Sequence, residues 1–593
     1  MHLPKISHFK PSRTVVTDSF RGINREQGAR PDELSSVQNL SSREYPCLST
    51  AQPPVRIADA RPVLGVCYAN ELVRVETGAL YYGERRIEDA RISSLEKSLV
   101  CAGSRVYIFP DRLCFDLTDM SISDMERSSS AHSGLLIITP CLKDYGACPI
   151  IQSDIMPNED THGPLAGSFW LDSSCFPPKL KRYVHSESAS DFIEVEPDGV
   201  RILVTDSEGN SVSSFYEGFE KGDSLTLSGT GDLASILSSL ELSSTFIVHE
   251  NGTLGPTRYL ILDTVASSYA NIVLSDPEKT GIFTVTRRVP RLDGAVLCRN
   301  RIFGYSLQEN RIYASAKDSF GSWYGSNGSS DNAMAFDAGT PAPFTAVTCL
   351  GDVPYFFKEN HLHRIIGSTQ SVSACTGVKQ GCQASVQILS DKLIYASGNQ
   401  VSLYSSGRVE CISQKLGRLD FVSACSALFE GRYYLSLTGG RDGGYLYVYD
   451  PSRDIWHRES LAPFTHSVRA LSRLYTFAED GTYLLTEGES APPEEMKKVC
   501  WYAESTDLPV CDGEKKALSR VVVNAELKEG ASLDVYVCYG SDGDYVFAGS
   551  ACEGVSSLPV LLRRSDRVRV RLEGRGEVRI RSLVRIYTPG SYV

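Results

Sequence analysis

The sequence has few of the features that mark helical, membrane or secreted proteins. It contains only 6 Met and 4 Trp. Because Pro, Gly and Ser interrupt nearly every stretch of ten residues, the apolar periodicity of a helix is almost absent. No apolar run approaches the length of a membrane span. The segment Met1–Asp18 lacks an apolar core, which predicts that there is no signal peptide.

The cysteines follow no pattern typical of a metal or redox site. There are 17 of them, no Cys-x-x-Cys pair occurs, and the closest pairs are Cys141/Cys148 and Cys375/Cys382. Many lie inside apolar, strand-like runs, where a free thiol behaves as a small hydrophobic residue. The sequence therefore predicts free cysteines without intramolecular disulfides, in a protein that folds in a reducing cytoplasm.

Motifs for nucleotide or acyl-transfer chemistry are missing as well. Neither a P-loop, nor a dinucleotide fingerprint, nor a G-x-S-x-G elbow occurs. His361 and His363 lie two positions apart on a predicted strand, but no third metal ligand stands out. The residues Ser315, Asp318 and Trp323 (with Gly321) are similar to a sialidase Asp-box with altered spacing. We therefore expect no catalytic, cofactor-binding or metal-binding residues.

The charge balance argues against a nucleic-acid-binding protein. The formal net charge is -12, which repels duplex DNA and leaves no basic stripe for phosphates. The densest basic segment runs from Arg563 to Arg585, and most of its arginines alternate with Val, Leu or Ile. Such alternation predicts the solvent-exposed face of antiparallel strands, with contact to an anionic partner as the alternative.

Short alternating strands dominate what is present. From residue 62 they form groups of three or four, joined by tight turns, and about seven groups recur at the 40–45-residue spacing typical of propeller blades. The first two groups are Val63–Tyr68, Glu71–Val75 and Ala79–Tyr82, then Ser98–Ala102, Arg105–Phe109 and Leu113–Leu117; later groups start near Ala295, Phe344, Val386, Ala424 and Val468. The sequence therefore predicts an all-β fold with a β-propeller of about seven blades.

One group also carries a pattern similar to a kelch repeat. Gly439-Gly440 is followed by Tyr449-Asp450-Pro451 and Trp456, and in such a repeat the paired glycines permit a tight bend while the aromatics pack between blades. A generic Gly-rich hairpin is the alternative.

The strand pattern divides the chain into four parts. Residues 1–61 are predicted as an N-terminal extended segment, 62–124 and 293–500 as the propeller, 125–292 as an inserted β-barrel or β-sandwich, and 515–593 as a C-terminal β-sandwich. Helices are predicted only at Leu233–Leu240 and Pro492–Lys498. Ser541-Asp-Gly-Asp544 is predicted as a hairpin turn.

Several segments, taken in order, resemble tail and neck structural proteins of tailed bacteriophages, of the nozzle or tail tubular type. The resemblance departs at Ser49-Thr-Ala, where many relatives have a basic residue, and no C-terminal motif matches. The similar segments are Phe20–Asn24, Arg30–Leu34, Asn39–Leu40, Tyr45–Leu48, Pro54–Arg56, Phe219–Gly229, Arg288–Arg291, Asn300–Gly304, Asn310–Ser315, Trp323, Lys358–Gly367 and Leu393–Tyr404.

This resemblance implies a virion component, made in the host cytoplasm, that forms a hexameric ring at the tail or neck. Its partners would be copies of itself, other connector and tail proteins, and genomic DNA that passes through a channel without sequence-specific binding. An acidic wall suits that role because DNA must slide past it. Two alternatives remain from the sequence: a receptor- or glycan-binding propeller, and a glycosidase, which would need two carboxylates across a cleft.

Overall fold

The computed structural model describes residues 12–589, except for short gaps. The gaps are residues 27–28, 133–135, 176–177, 186–189, 207, 209, 235–244, 256, 264–280, 325–330, 461–462, 488–490, 508–515, 541–542 and 566. The chain divides into two compact units. Unit 1 comprises residues 1–96, 356–362 and 372–593, and unit 2 comprises residues 97–355 and 363–371.

The fold is nearly all-β, which confirms the predicted fold class at that level. Seven of the eight four-stranded sheets among the described residues are named I to VII here. Their strands are Gly65–Ala69, Glu71–Glu76, Ala79–Tyr82 and Arg85–Glu88 (I); Ser98–Ala102, Arg105–Phe109, Leu113–Asp116 and Ser121–Asp124 (II); Gly294–Cys298, Arg301–Ser306, Arg311–Ala314 and Met334–Asp337 (III); Ala346–Leu350, Val353–Lys358, His361–Ile366 and Thr369–Ala374 (IV); Gln387–Leu389, Lys392–Ser397, Gln400–Ser405 and Arg408–Cys411 (V); Ser423–Phe429, Arg432–Thr438, Leu446–Asp450 and Ile455–Glu459 (VI); and Phe464–Ala470, Arg473–Ala478, Gly481–Thr486 and Val55–Asp59 (VII).

Sheet VII takes its fourth strand from far upstream in the chain. Val55–Asp59 pairs antiparallel with Gly481–Thr486, with Asp59 opposite Gly481 and Val55 opposite Leu484. The other six sheets are built from consecutive strands. Residues 55–59 were predicted to lie in the N-terminal extended segment. In the structure they form the fourth strand of sheet VII, which pairs with the edge that Gly481–Thr486 would otherwise leave open.

Successive sheets of one unit pack through their first strands. Within unit 2 this holds for sheets II and III, and within unit 1 for sheets V and VI, VI and VII, and VII and I. Sheets VI and VII share a buried apolar cluster that includes Phe429, Tyr434, Val448, Phe464 and Leu474. Packing of this kind buries both faces of each small sheet, which an isolated meander would leave exposed.

A disulfide joins the first strands of sheets III and IV. Cys298 and Cys349 are bonded, with their Cα atoms 5.8 Å apart. The prediction that all cysteines are free is therefore wrong for this pair, because strands 51 residues apart in sequence become neighbours only in the folded structure. The other cysteines of the described residues are free thiols. Burial raises the pKa of the Cys141 thiol to about 12.

The kelch-like pattern occupies sheet VI. Gly439 and Gly440 have φ of 70° and 69°, a backbone conformation that side chains with a Cβ rarely adopt. The Tyr449 and Trp456 rings stack with their centroids 4.7 Å apart. The Trp456 indole N–H donates to the Ile412 carbonyl at 2.9 Å, just beyond sheet V. The aromatic pair therefore anchors sheet VI against its neighbour.

Residues 127–287 form two sheets of their own. The larger one is called the insert sheet here. Its first strand in the sequence, Arg127–His132, pairs with its last, Ile282–Arg287, so that Arg127 lies opposite Arg287. In spatial order its strands are Arg127–His132, Ile282–Arg287, Ser224–Gly229, Thr245–Leu254, Thr257–Asp263, Gly199–Val204 and Leu136–Cys141; the smaller sheet contains Ile150–Ser153, Phe169–Asp172, Lys179–His185 and Ser190–Glu194.

The C-terminal residues form two further sheets together with N-terminal strands. Terminal sheet A contains Leu40–Ser41, Leu48–Thr50, Val578–Pro589, Lys516–Leu527 and Gly554–Pro559, with Arg13–Thr17 and Arg564–Ser565 attached; terminal sheet B contains Leu34–Gln38, Cys500–Ser505, Val568–Arg575, Ser532–Tyr539 and Tyr545–Ala551. The residues predicted as a C-terminal sandwich from residue 515 therefore share their two sheets with strands from residues 13–50 and 500–505.

The prediction that the C-terminal arginines line an exposed face is wrong for Arg585. Its side chain is fully buried, and its guanidinium donates to Thr17 Oγ1 at 2.7 Å and to the Pro31 carbonyl at 3.0 Å. Burial lowers the pKa of Arg585, since no carboxylate offsets the loss of water. The N-terminal segment covers this arginine, which the local alternation cannot reveal.

Helices are short and few among the described residues. The α-helices are Glu159–His162, Ser213–Tyr216 and Pro493–Met496, and the 3-10 helices are Lys143–Tyr145, Gln383–Ser385 and Gln414–Leu416. The helix predicted at Pro492–Lys498 is present in shortened form. The predicted helix Leu233–Leu240 and the turn at Ser541 lie largely outside the described residues. No helix in the described part of the chain is long and apolar enough to cross a membrane.

Deletion of the insert should leave the seven small sheets folded. Because Arg127 and Arg287 are paired neighbours, a two-residue Gly-Ser linker can replace residues 127–287 without moving the flanking strands. We expect the shortened chain to keep a β-type circular dichroism spectrum and a cooperative thermal transition. Deletion of residues 387–459, which removes sheets V and VI, is the control and should abolish the transition. A globally unfolded insert deletion would contradict the proposed boundaries.

Candidate binding cleft in the insert

His363, one of the two histidines of the predicted strand, is held by hydrogen bonds. His363 is fully buried, its Nδ1 lies 2.7 Å from Gln370 Nε2, and its Nε2 lies 3.0 Å from Thr340 Oγ1. Both ring nitrogens are therefore already hydrogen-bonded within unit 2. Among the described residues, no group of three His, Cys, Asp or Glu side chains could hold a metal ion.

The Asp-box-like residues lie in a structural turn of unit 2. Ser315 is buried, and its hydroxyl accepts from the Ile302 N–H at 3.0 Å. Trp323 is buried too, and its indole N–H donates to the Phe320 carbonyl at 2.8 Å. A Cβ on Gly321 would lie 2.4 Å from Asp223 Oδ1, so this position needs glycine for close approach to the insert. These contacts position the turn against the insert.

The strongest candidate site is a cleft of about 590 Å³ in the insert, called the insert cleft here. Three segments line it: the 3-10 helix at Lys143–Tyr145, the turn at Phe219–Lys221, and the neighbouring strands that carry His249–Asn251 and Arg258. All of these residues belong to unit 2. Almost every lining side chain is polar or charged, so the cleft fits a polar ligand.

A β-bulge sets the orientation of the side chains on one wall. Val248 pairs with Leu262 but Glu250 pairs with Ile261, so His249 is the extra residue. Phe246 and Val248 face the buried core, and regular alternation would also place Glu250 there. The bulge instead places the Glu250 carboxylate on the side of the strand away from the core. There the carboxylate accepts a hydrogen bond from the Tyr259 hydroxyl at 3.0 Å. Burial and this carboxylate raise the pKa of Tyr259 to about 12.

The bulged histidine lies between two carboxylates. His249 Nδ1 is 3.5 Å from Asp263 Oδ1, and His249 Nε2 is 3.7 Å from Asp144 Oδ1. Lys143 Nζ is also 3.5 Å from Asp263 Oδ1. These contacts hold the His249 imidazole at the wall of the insert cleft. The Asp263 carboxylate is mostly covered, whereas the Asp144 carboxylate is largely exposed.

The opposite wall is a tight turn that begins the strand Ser224–Gly229. Gly222 has a φ of +94°, and its N–H donates to the Val248 carbonyl at 2.8 Å. Asp223 accepts from the Glu220 N–H at 2.9 Å and from the Arg287 guanidinium at 2.6 Å. Burial raises the pKa of Asp223, although the Arg287 charge opposes this shift. This turn belongs to the segment Phe219–Gly229 that carries part of the resemblance.

Sequence reasoning did not identify the insert cleft. Its residues come from three segments, within 143–144, 219–221 and 249–258, and none forms a short motif. His249 is a lone histidine in a strand, and a bulge leaves no mark in the hydrophobic pattern. The turn Glu220-Lys221-Gly222-Asp223 lies in the segment Phe219–Gly229, which stands out in the sequence only through the resemblance.

Comparisons with known proteins give no family assignment. No protein-family model matches, and no curated protein matches. Solved structures with some similarity include PorZ, a surface component of the type-IX secretion system of Porphyromonas gingivalis, at 8% identity, a TM-score of 0.24, and coverage of 89% of this chain and 77% of that chain. The extracellular domain of the putative one component system BT4673 from B. thetaiotaomicron has 10% identity and a TM-score of 0.20, with coverage of 92% and 94%.

A third similar structure is the exo-β-1,3-galactanase of Phanerochaete chrysosporium. It has 11% identity and a TM-score of 0.19, and the match covers 48% of this chain and 95% of that chain. At TM-scores this low, none of these similarities supports an argument about function.

Substitution of Gly222 should test whether the turn has the described conformation. Gly222→Ala forces a Cβ into a left-handed backbone conformation, which costs about 1–2 kcal/mol. We expect a lower midpoint of the unfolding transition that reports on the insert. Lys221→Ala, at the exposed neighbouring position, is the control and should leave the midpoint unchanged. Equal midpoints for both variants would contradict the turn geometry.

Proposed function

We propose that this chain is a non-catalytic structural protein of a tailed-bacteriophage virion, which assembles into a ring at the tail or neck and conducts DNA. The ordered sequence resemblance motivates this assignment. The observation that carries it is an exposed apolar end of the terminal sheets, which fits self-association. The other connector and tail proteins, and the genomic DNA, would be its partners in the virion.

The proposed scaffold is a seven-bladed β-propeller with sheets I to VII as blades. Its support is the repeated contact between first strands, which fits sheets arranged around an axis with those strands innermost. The pairing of Val55–Asp59 with the last sheet fits a ring of blades that is closed by an upstream strand. On this proposal, residues 127–287 are a domain inserted between blades, and the terminal sheets form a separate sandwich.

One end of the terminal sheets is covered and the other is open. At the covered end, the strands Leu34–Gln38 and Leu40–Ser41 pack on Ile455–Glu459 of sheet VI. At the open end, Tyr545–Ala551 and Gly554–Pro559 are the last strands of their sheets. Their outer edges carry backbone N–H and C=O groups that another strand can pair with.

Apolar side chains are concentrated at this open end. Phe547 is 55% exposed, Val555 69%, Leu561 63% and Leu562 67%. Monomeric proteins rarely leave such clusters uncovered. We propose that a second copy of the chain covers this end, with Tyr545–Ala551 of one copy pairing with Gly554–Pro559 of the next. A head-to-tail contact of this kind can repeat around a ring, whereas two identical surfaces facing each other would close a dimer.

Charged substitutions at the open end should therefore dissociate the assembly. In the double variant Phe547→Glu with Val555→Glu, each contact would bury two carboxylates of like charge. We expect its dissociation constant, measured by light scattering after gel filtration, to rise at least about 100-fold.

The control is Leu471→Glu, in a turn of sheet VII where Leu471 is 78% exposed. It should assemble like the unchanged chain. A chain that stays monomeric at the highest concentration measured would overturn the ring proposal. An assembly that withstands the double substitution would refute the proposed contact.

A further inference from the structure

We propose that the insert cleft binds an acidic saccharide, that is, a hydroxyl-rich ligand that carries a carboxylate. This inference is independent of the proposed ring, since every residue that it uses belongs to the insert and not to the terminal sheets.

The size and polarity of the cleft point to a hydroxyl-rich ligand. Its volume of about 590 Å³ lies within the range of small-molecule sites. The apolar lining residue, Phe219, is only 3% exposed, so an apolar ligand would find little surface to bury against. Each hydroxyl of a sugar both donates and accepts a hydrogen bond, and the cleft offers donors and acceptors side by side.

The Glu250 carboxylate and the Asn251 amide are fixed by hydrogen bonds to the protein behind them. Glu250 is held by the Tyr259 hydroxyl. The Asn251 amide nitrogen donates to the carbonyls of Tyr216 at 2.7 Å and Phe219 at 3.0 Å, which orients its oxygen toward Arg258. Groups fixed in this way lose little conformational entropy when a ligand binds.

Two cations at the cleft lack a carboxylate partner. Neither Arg258 nor Lys221 forms an ion pair within the described residues, whereas Lys143 contacts Asp263. Arg258 lies with its guanidinium carbon 5.7 Å from the Tyr216 ring centroid and makes one side-chain hydrogen bond, to Asn251 Oδ1 at 3.4 Å. A guanidinium with free donors matches the two oxygens of a carboxylate.

The acidic residues of the cleft fit the hydroxyl groups of the same ligand. Glu220, next to Lys221, has no ion pair and no side-chain hydrogen bond in the described part of the chain. Its carboxylate is therefore available to accept from sugar hydroxyls. Asp144 Oδ1 lies 3.7 Å from His249 Nε2, so this carboxylate already contacts a side chain of the cleft. Arg258 and Lys221 thus supply positive charge for a carboxylate, and Glu220 and Glu250 supply acceptors for hydroxyl groups.

Isothermal titration calorimetry on the full chain tests this inference. The probes are trigalacturonic acid, sialyllactose and a hyaluronan tetrasaccharide, with galactotriose and lactose as neutral counterparts. We expect at least one acidic probe to bind with a dissociation constant below about 1 mM. The neutral counterpart should bind at least tenfold more weakly.

Variants locate the binding. Arg258→Gln keeps a polar side chain but removes the charge, and it should weaken the binding of the acidic probe at least tenfold. Lys179→Gln, elsewhere on the insert, is the control and should leave the affinity for the probe unchanged. No binding of any acidic probe, equal binding of its neutral counterpart, or unchanged binding by Arg258→Gln would overturn the proposal. Assembly measured on the same variants stays normal if the ring proposal holds, so the two proposals fail independently.

Discussion

The fold of unit 1 depends on strand pairing between residues near the start of the sequence and residues more than 400 positions later. Strands from residues 13–59 enter terminal sheets A and B and sheet VII. Buried polar contacts reinforce this pairing. Arg43 donates to the Tyr434 hydroxyl at 2.7 Å and lies 3.6 Å from Glu430. Burial raises the pKa of the nearby Glu459, but a hydrogen bond from His457 and the Arg43 charge outweigh it and leave that pKa low. Such contacts are costly to break, because they would leave buried charges without partners.

Local patterns predicted the seven small sheets well and the long-range pairing poorly. The alternation in segments such as Glu71–Val75 and Leu393–Tyr404 reports which residues face a core, and most of these strands were predicted within a few positions. The partner of a strand is a different matter. Val55–Asp59 is the outermost strand of its sheet and has mostly exposed side chains, so its sequence carries no signal of the sheet it joins. The same limit hid the burial of Arg585 and the bond between Cys298 and Cys349.

The insert cleft was hidden for a further physical reason. Its geometry depends on one extra residue in a strand, and on a turn whose glycine holds Glu220 and Lys221 opposite that bulge. Hydrophobic periodicity indicates which face of a strand is buried, but it does not reveal a register shift caused by one extra residue. The candidate site therefore emerged only from coordinates, whereas the expectation of no catalytic or metal motif came directly from the sequence and remains a prediction.

The long-range pairing also means that some strands must wait for their partners while the chain is synthesised. Thr17 and Arg585, which share a buried hydrogen bond, are separated by 568 positions. At translation rates of about 5–20 residues per second, the ribosome needs about half a minute to two minutes to travel between them. During that interval Arg13–Thr17 lacks its partner strand, Val578–Pro589, while sheets I to III can already form from consecutive strands. The nascent chain must therefore keep Arg13–Thr17 available for pairing until the last strand has been made.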